Sequence, residues 1–246
     1  MNLEKVKTIT NLFREKEKDP RCSAVIVAAG SSERMGNDKL TAALGGIPVL
    51  ARTLRAFEAC PLVAEIIVVT RADRIEEMAD LCRSFEISKV SKVLAGGATR
   101  VESALVGVSE ADPRLNLIAI HDGARPLVSQ ELIERTVRAA KEHYAAVPVI
   151  PSTDTLKIVD ARGFVAGTVD RASTFRVQTP QVFKAEFIKG ALTRAMEKEL
   201  PLTDDCSAVE MMGVKTVTVP GDEDNIKLTT PRDMILAEAI LKAREA

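Results

Sequence analysis

Tryptophan is absent from this 246-residue chain, tyrosine occurs once, and aromatic residues make up only 3% of it. A surface on which successive bases of a single strand stack needs several exposed rings, so that mode of nucleic-acid binding is excluded. An excess of charge is also missing: 34 Lys and Arg stand against 35 Asp and Glu, for a net charge of −1. Such a balance gives no general attraction to nucleic acid or to an anionic membrane, and any basic residues that matter must act locally. Cysteines are few and scattered, at Cys22, Cys60, Cys82 and Cys206, with no C-x-x-C pair. This argues against a zinc ribbon or a disulfide scaffold and for reduced core residues. No apolar run reaches the length of a membrane span, and the N-terminus lacks the apolar stretch of a signal peptide, so the expected location is cytoplasmic.

The chain does have 46% hydrophobic residues, enough for a sizeable core built from Val, Ile, Leu and Ala. Residues 1–20 are rich in Lys and Glu, with Leu3, Val6, Ile9 or Thr10, and Phe13 near helical spacing, which reads as an extension that forms a short amphipathic helix or stays disordered. Residues 21–246 read as one domain. Short β-branched runs alternate there with longer helical patterns, as in an α/β protein whose mostly parallel sheet carries helices on its faces. Strands are expected at 24–28, 65–70, 89–94, 116–121 and 145–150, and helices near 48–59, 73–84, 99–110, 129–142, 185–198, 205–212 and 232–244. Asp73 and Ser129 suit N-caps, and Pro48 and Pro231 suit first turns. The alternation breaks between residues 151 and 179, where two short strands around Asp160-Ala-Arg-Gly163 read as a projecting β-hairpin arm. A hairpin alone is marginally stable, so the arm should lie against something, such as a second subunit.

Ligands of open parallel sheets gather at the carboxyl ends of strands, and the polar clusters fall there. After the first strand comes Ala28-Ala-Gly-Ser-Ser-Glu-Arg-Met-Gly36, followed by Lys39. Small residues let backbone N–H groups approach an anion, and Arg34 and Lys39 supply charge for a triphosphate. The loop has neither the dinucleotide fingerprint nor a Walker A ending, and a plain connection is the competing reading. After the third strand, Gly96 and Gly97 with Ser103 on the next helix form either a simple turn or a slot for a base ring. After the fourth come His121, Asp122 and Arg125. Asp122 reads equally as a turn residue or as a ligand for a hard cation such as Mg²⁺, and the neighbouring Arg125 favours the cation and a phosphate-rich substrate. His121 follows Ile120 and is read as a packed histidine without chemistry.

The ordered set A-A-G-S-S-E-R-M-G…K, G-G-x-x-R-V-x-S, H-D-G-A-R-P, D-T-L-K, T-V-D-R, Q-T-P-Q-V-F, T-D-D-C-S-A-V-E and D-N-I-K-L-T-T-P resembles the 2-C-methyl-D-erythritol 4-phosphate cytidylyltransferases of the non-mevalonate isoprenoid pathway, from residue 22 to the end. The resemblance implies a Rossmann-like nucleotidyltransferase acting as a homodimer on CTP and a polyol phosphate with Mg²⁺. It implies that Arg34, Lys39 and Lys227 stabilise the reacting phosphate, that Ala28, Ala29, Gly30, Gly97 and Ser103 hold the nucleotide, and that Asp122 ligates the metal. Thr155 and Arg171 would reach from the arm into the partner's site, with Arg125 a further substrate contact. The family's usual proline before the lysine is here Asp38. Two rival functions share these motifs: a cytidylyltransferase for another polyol phosphate such as ribitol 5-phosphate, and a catalytically silent nucleotide-binding module.

Overall fold

The computed structural model describes residues 19–30 and 39–245, so the expected N-terminal helix and Arg34 lie outside the described residues. In chain order the elements are β1 (Cys22–Val27), β2 (Ala43–Leu44), β3 (Ile47–Pro48), α1 (Val49–Ala59), β4 (Val63–Thr70), α2 (Ile75–Ser84), β5 (Val90–Ala95), α3 (Arg100–Ser109), β6 (Leu117–Asp122), α4 (Gln130–His143), β7 (Ala145–Pro151), β8 (Lys157–Val159), β9 (Val165–Thr168), β10 (Phe175–Val177), β11 (Gln181–Lys184), α5 (Ala185–Glu197), α6 (Asp205–Glu210), β12 (Val217–Pro220) and α7 (Pro231–Glu245).

The main sheet has eight strands in the order β10-β7-β11-β6-β1-β4-β5, with β12 on β7. Its centre is parallel, β1 pairing with both β4 and β6. Successive residues of a strand face opposite sides, and here both sides are apolar. Ala24, Ile26, Ile66, Val68 and Ala119 meet Leu50, Leu54 and Phe57 of α1 and Leu132 of α4. Val25, Ile67, Val69, Ile118 and Ile120 meet Ala104 and Val108 of α3 and Ile188 and Leu192 of α5. A smaller cluster of Leu44, Val49, Leu127, Leu228 and Ala237 seats α7.

The expected strands are present, and the sheet is more mixed than the alternation suggested. β11 runs antiparallel between β6 and β7, a four-residue strand too short to stand out beside the helix that follows it. Residues Phe175–Val177, assigned from sequence to the arm, instead pair antiparallel with the end of β7. The arm proper closes where the Ser152 N–H donates to the Thr174 carbonyl, and its strands β8 and β9 pair only with each other. Along it Ile158 and Phe164 are 56% and 66% exposed. Among the N-caps, Ser129 accepts from the Leu132 N–H as expected. Asp73 does not cap α2: it sits inside a 3₁₀ turn and pairs with Arg71. Proline takes the N-cap position at Pro48 and opens α7 at Pro231.

Two residues set the spacing of the layers. A Cβ on Gly107 of α3 would intrude on Val25 Cγ1 and lie 2.9 Å from Val69 Cγ2, so the helix lies on the sheet at a distance only glycine allows. His121 is fully buried on the opposite face, its ring centroid 4.8 Å from that of Phe57. The Thr179 hydroxyl accepts from the Asp122 N–H and donates to His121 Nδ1, and His121 Nε2–H donates to the Arg125 carbonyl. Burial, above all, pulls the His121 pKa down to about 3. The sequence reading of a packed histidine therefore holds.

Gly107→Ala should lower stability by about 1–2 kcal/mol in urea unfolding, since overpacking outweighs a helix-propensity gain of about 1 kcal/mol. An unchanged or raised stability would show that α3 can slide outward. For His121, the unfolded chain takes up a proton below its ordinary pKa of 6.5 while the folded chain resists until about 3. This residue should therefore cost about 1.4 kcal/mol per pH unit as the pH falls through that window. His121→Gln should flatten stability against pH between pH 6 and 4 by about that slope, and parallel profiles for the two proteins would contradict it.

Candidate active site

The chain leaves β1 towards β4 and β5 and returns on the other side as β6, so the crevice at the carboxyl ends of β1 and β6 is a topological switch point. The ladder runs to its rim: Val27 is level with Asp122, the Ala28 N–H donates to Val69 O, and the Gly123 N–H donates to Val27 O. Around this edge lies a cleft of about 700 Å³, lined by Ala28, Ala29, Gly30, Lys39, Gly97, Ser103, Asp122 and Lys227 among others. Sequence positions up to 202 apart, Val27 and Thr229, thus meet in one crevice, including most of the residues singled out beforehand.

One wall is the turn from β5 into α3. Thr99 caps the helix by accepting from the Glu102 N–H, while the Glu102 carboxylate reaches back past the cap to accept from the Ala98 N–H, and the two contacts fix the turn. Ser103 is buried, and its hydroxyl donates to the Thr99 carbonyl at 2.9 Å. A Cβ on Gly96 would come within 2.5 Å of Ser103 Oγ and 2.9 Å of Ala29 Cβ, so the narrow gap between the two walls depends on glycine.

The floor is Asp122, 7% exposed at the end of β6. Three cations reach it: Lys227 Nζ lies 2.8 Å from Oδ2, Arg100 Nε 3.3 Å from Oδ1, and Arg125 Nε 3.6 Å from Oδ2. Burial opposes the charge, but Lys227, then Arg100 and Arg125, outweigh it and hold the carboxyl far below the usual carboxylate range. Lys227 comes from a segment docked over the β6 loop. Its anchors are Leu228 N–H to Ala124 O, Arg125 Nη1 to Asn225 O, and the buried Asn225 amide to Thr179 O.

Some expected contacts lie elsewhere. Arg125 does not line the cleft: it is nearly buried beneath the floor, tied to Asn225 and Asp122. Thr155 and Arg171 are exposed on or beside the arm and do not line the cleft of their own chain, Arg171 donating to Thr153 O at 3.4 Å. The sequence reading also passed over residues. Arg100 and Thr229 line the cleft, and Asp205 binds Arg100 from behind. Arg100 and Asp205 sit in motifs quoted above, but nothing in the sequence reveals a pairing across 105 positions.

Asp122 is suited to a hard cation only in company. Among the described residues no group of three or more His, Cys, Asp or Glu could hold a metal, so an ion here would need oxygens from a phosphate ligand. Mg²⁺ commonly takes one or two carboxylates with substrate phosphates, and the half-exposed Lys227 side chain has room to turn off Oδ2. The donor set fits an ion that arrives with a nucleotide.

Comparison with known proteins gives this geometry a relation. The family model described as IspD, 2-C-methyl-D-erythritol 4-phosphate cytidylyltransferase, matches residues 22–243. A protein of that name from Caldanaerobacter subterraneus subsp. tengcongensis is 41% identical over 223 residues, 89% of this chain and 98% of that one. One from Halalkalibacterium halodurans is 41% identical over 225 residues, covering 91% and 98%. The crystal structure of 4-diphosphocytidyl-2C-methyl-D-erythritol synthase from Anaerococcus prevotii superposes with a TM-score of 0.82 at 32% identity, covering 91% of this chain and 97% of that one. A match that spans residues 22–243 and nearly the whole sheet leaves no room for a chance likeness, and the chain belongs to the 2-C-methyl-D-erythritol 4-phosphate cytidylyltransferase family.

Proposed function

We propose that the cleft transfers CMP from CTP to 2-C-methyl-D-erythritol 4-phosphate, giving the CDP-linked methylerythritol and pyrophosphate. The observation that carries this is the convergence of Lys39, Arg100 and Lys227 around Asp122 at the carboxyl edge of the sheet, in a chain of this family. The family and the relatives named above all bear the methylerythritol name, which disfavours ribitol phosphate and a silent nucleotide module.

The base would lie against Gly97 and Ser103 on one wall and Ala28 to Gly30 on the other. An oxygen of the substrate phosphate attacks the α-phosphorus of CTP as the bond to the bridging oxygen of pyrophosphate breaks. Negative charge builds on the transferring group, and Lys39, Lys227 and Arg34 are the cations proposed to meet it. No proton must be removed from a phosphate already ionised at neutral pH. His121, neutral and hydrogen-bonded at both nitrogens, is unsuited to such a task. Bound with the triphosphate at Asp122, Mg²⁺ would supply further neutralisation of its oxygens.

Two further parts of the reading concern the whole molecule. The exposed apolar face of the arm supports a homodimer in which Thr155 and Arg171 serve the neighbouring cleft as substrate contacts. No helix among the described residues is long and apolar enough to cross a membrane, which is consistent with the cytoplasmic location we propose.

The chain with Mg²⁺, CTP and methylerythritol phosphate should release pyrophosphate, and turnover with ribitol 5-phosphate instead would overturn the substrate. Lys227→Ala should lower kcat by about two to three powers of ten with the fold intact, the usual loss for one preorganised donor to transition-state charge. Near-normal kcat would remove Lys227 from the reaction. For the arm, mixing Arg171→Ala chains with Arg34→Ala chains should restore part of the lost activity, because a mixed dimer would carry one site with both lesions and one with neither. Mixed dimers that form yet stay inactive would place Arg171 in its own chain's site or in none.

A further inference from the structure

Asp205 is a buried carboxylate that the reaction described above does not use. It opens the short helix α6 and is 0% exposed, a costly place for a charge that lacks a task. Seating the helix is done by others. The Asp204 carboxylate accepts from the Ser207 N–H as the N-cap, and the Gln181 side chain binds at both ends, Nε2 to Asp204 Oδ2 and Oε1 from the Cys206 N–H. Both oxygens of Asp205 instead accept from one residue, Arg100, at 2.9 Å from Nη1 and 2.7 Å from Nη2. This two-point grip uses the terminal edge of the guanidinium and leaves Nε alone to face Asp122, at 3.3 Å.

The grip decides how Asp122 can be used. A guanidinium free of Asp205 would turn its fork onto the nearest carboxylate, and a bidentate pair is far more favourable than a single 3.3 Å contact. Asp122 would then be closed off by Arg100 and lost to Lys227, whose Nζ now lies 2.8 Å from Oδ2. We propose that Asp205 is a positioning residue that holds Arg100 edge-on, keeping the Asp122 carboxylate open on its Oδ2 side to Lys227 and to an arriving nucleotide with its cation. The inference rests on the nucleotidyl-transfer reading of the cleft and names a residue that reading leaves idle.

The test is a double-mutant cycle on the full-length chain, read by calorimetric CTP binding in Mg²⁺ without acceptor and by pyrophosphate release with it. Asp205→Asn should raise the Kd for CTP by about fivefold or more and lower kcat by about tenfold or more, while Asp205→Glu recovers a large part of both, as for one oriented charge contact. In an Arg100→Ala background the same Asp205→Asn change should move Kd by less than about twofold, because a residue acting only through Arg100 has nothing left to position. Asp204→Ala, which loosens the same helix, should lower Tm and leave Kd within about twofold, so a merely structural loss is told apart. Equal effects of Asp205→Asn with and without Arg100, or none in the parent chain, would overturn the proposal. Parent chains that bind CTP but release no pyrophosphate would overturn the reaction while the binding cycle still judges Asp205. Parent chains that bind no CTP would overturn both.

Discussion

A carboxylate buried at the end of a parallel strand must find positive charge or give up its own, and the requirement of Asp122 organises this molecule. Its partners come from three places: Arg100 at the start of α3, Arg125 in the loop after β6, and Lys227 on the segment leading to α7. Through Arg100 the network extends to Asp205 and α6. Segments remote in sequence are thus pinned over one strand end. Removing the central charge would leave three cations facing one another with little water, which is why breaking a buried pair costs more than forming it gains.

The same network prepares the cleft for a polyanion. Over the whole chain charges nearly cancel, yet in this network three cations meet two carboxylates, Asp122 and Asp205, with Lys39 lining the same cleft. Local excess of this kind favours phosphate without making the surface sticky for nucleic acid. The polar chain running from Thr179 through His121 to Arg125 is held below the cleft and sets geometry only. Its histidine is held neutral by burial, with both ring nitrogens hydrogen-bonded.

The arm is a different kind of element. Its two strands hydrogen-bond to each other and, with the turn between them, carry Ile158, Val159, Phe164 and Val165 exposed, while the sheet beside it buries every apolar residue of β6. A two-stranded ribbon with such a surface is unlike a finished hydrophobic face.

Much of this was legible in the amino-acid order. Short β-branched runs and period-3.6 patterns located the five long strands and most helices, because strands covered on both faces read as nearly unbroken apolar runs while each helix buries one face. Ser129 and Pro231 marked boundaries through local backbone chemistry alone. The ordered motifs carried Ala28 to Gly30, Lys39, Gly97, Ser103, Asp122 and Lys227, which the fold gathers into one cleft. What the tertiary structure decided were matters of pairing between distant residues. The antiparallel insertion of β11, the return of Phe175–Val177 to the sheet, the placing of Arg125 beneath the floor and the grip of Asp205 on Arg100 all depend on neighbours that no local pattern specifies. Local chemistry fixes what a residue is able to do, and only the assembled sheet fixes which charge stands opposite it.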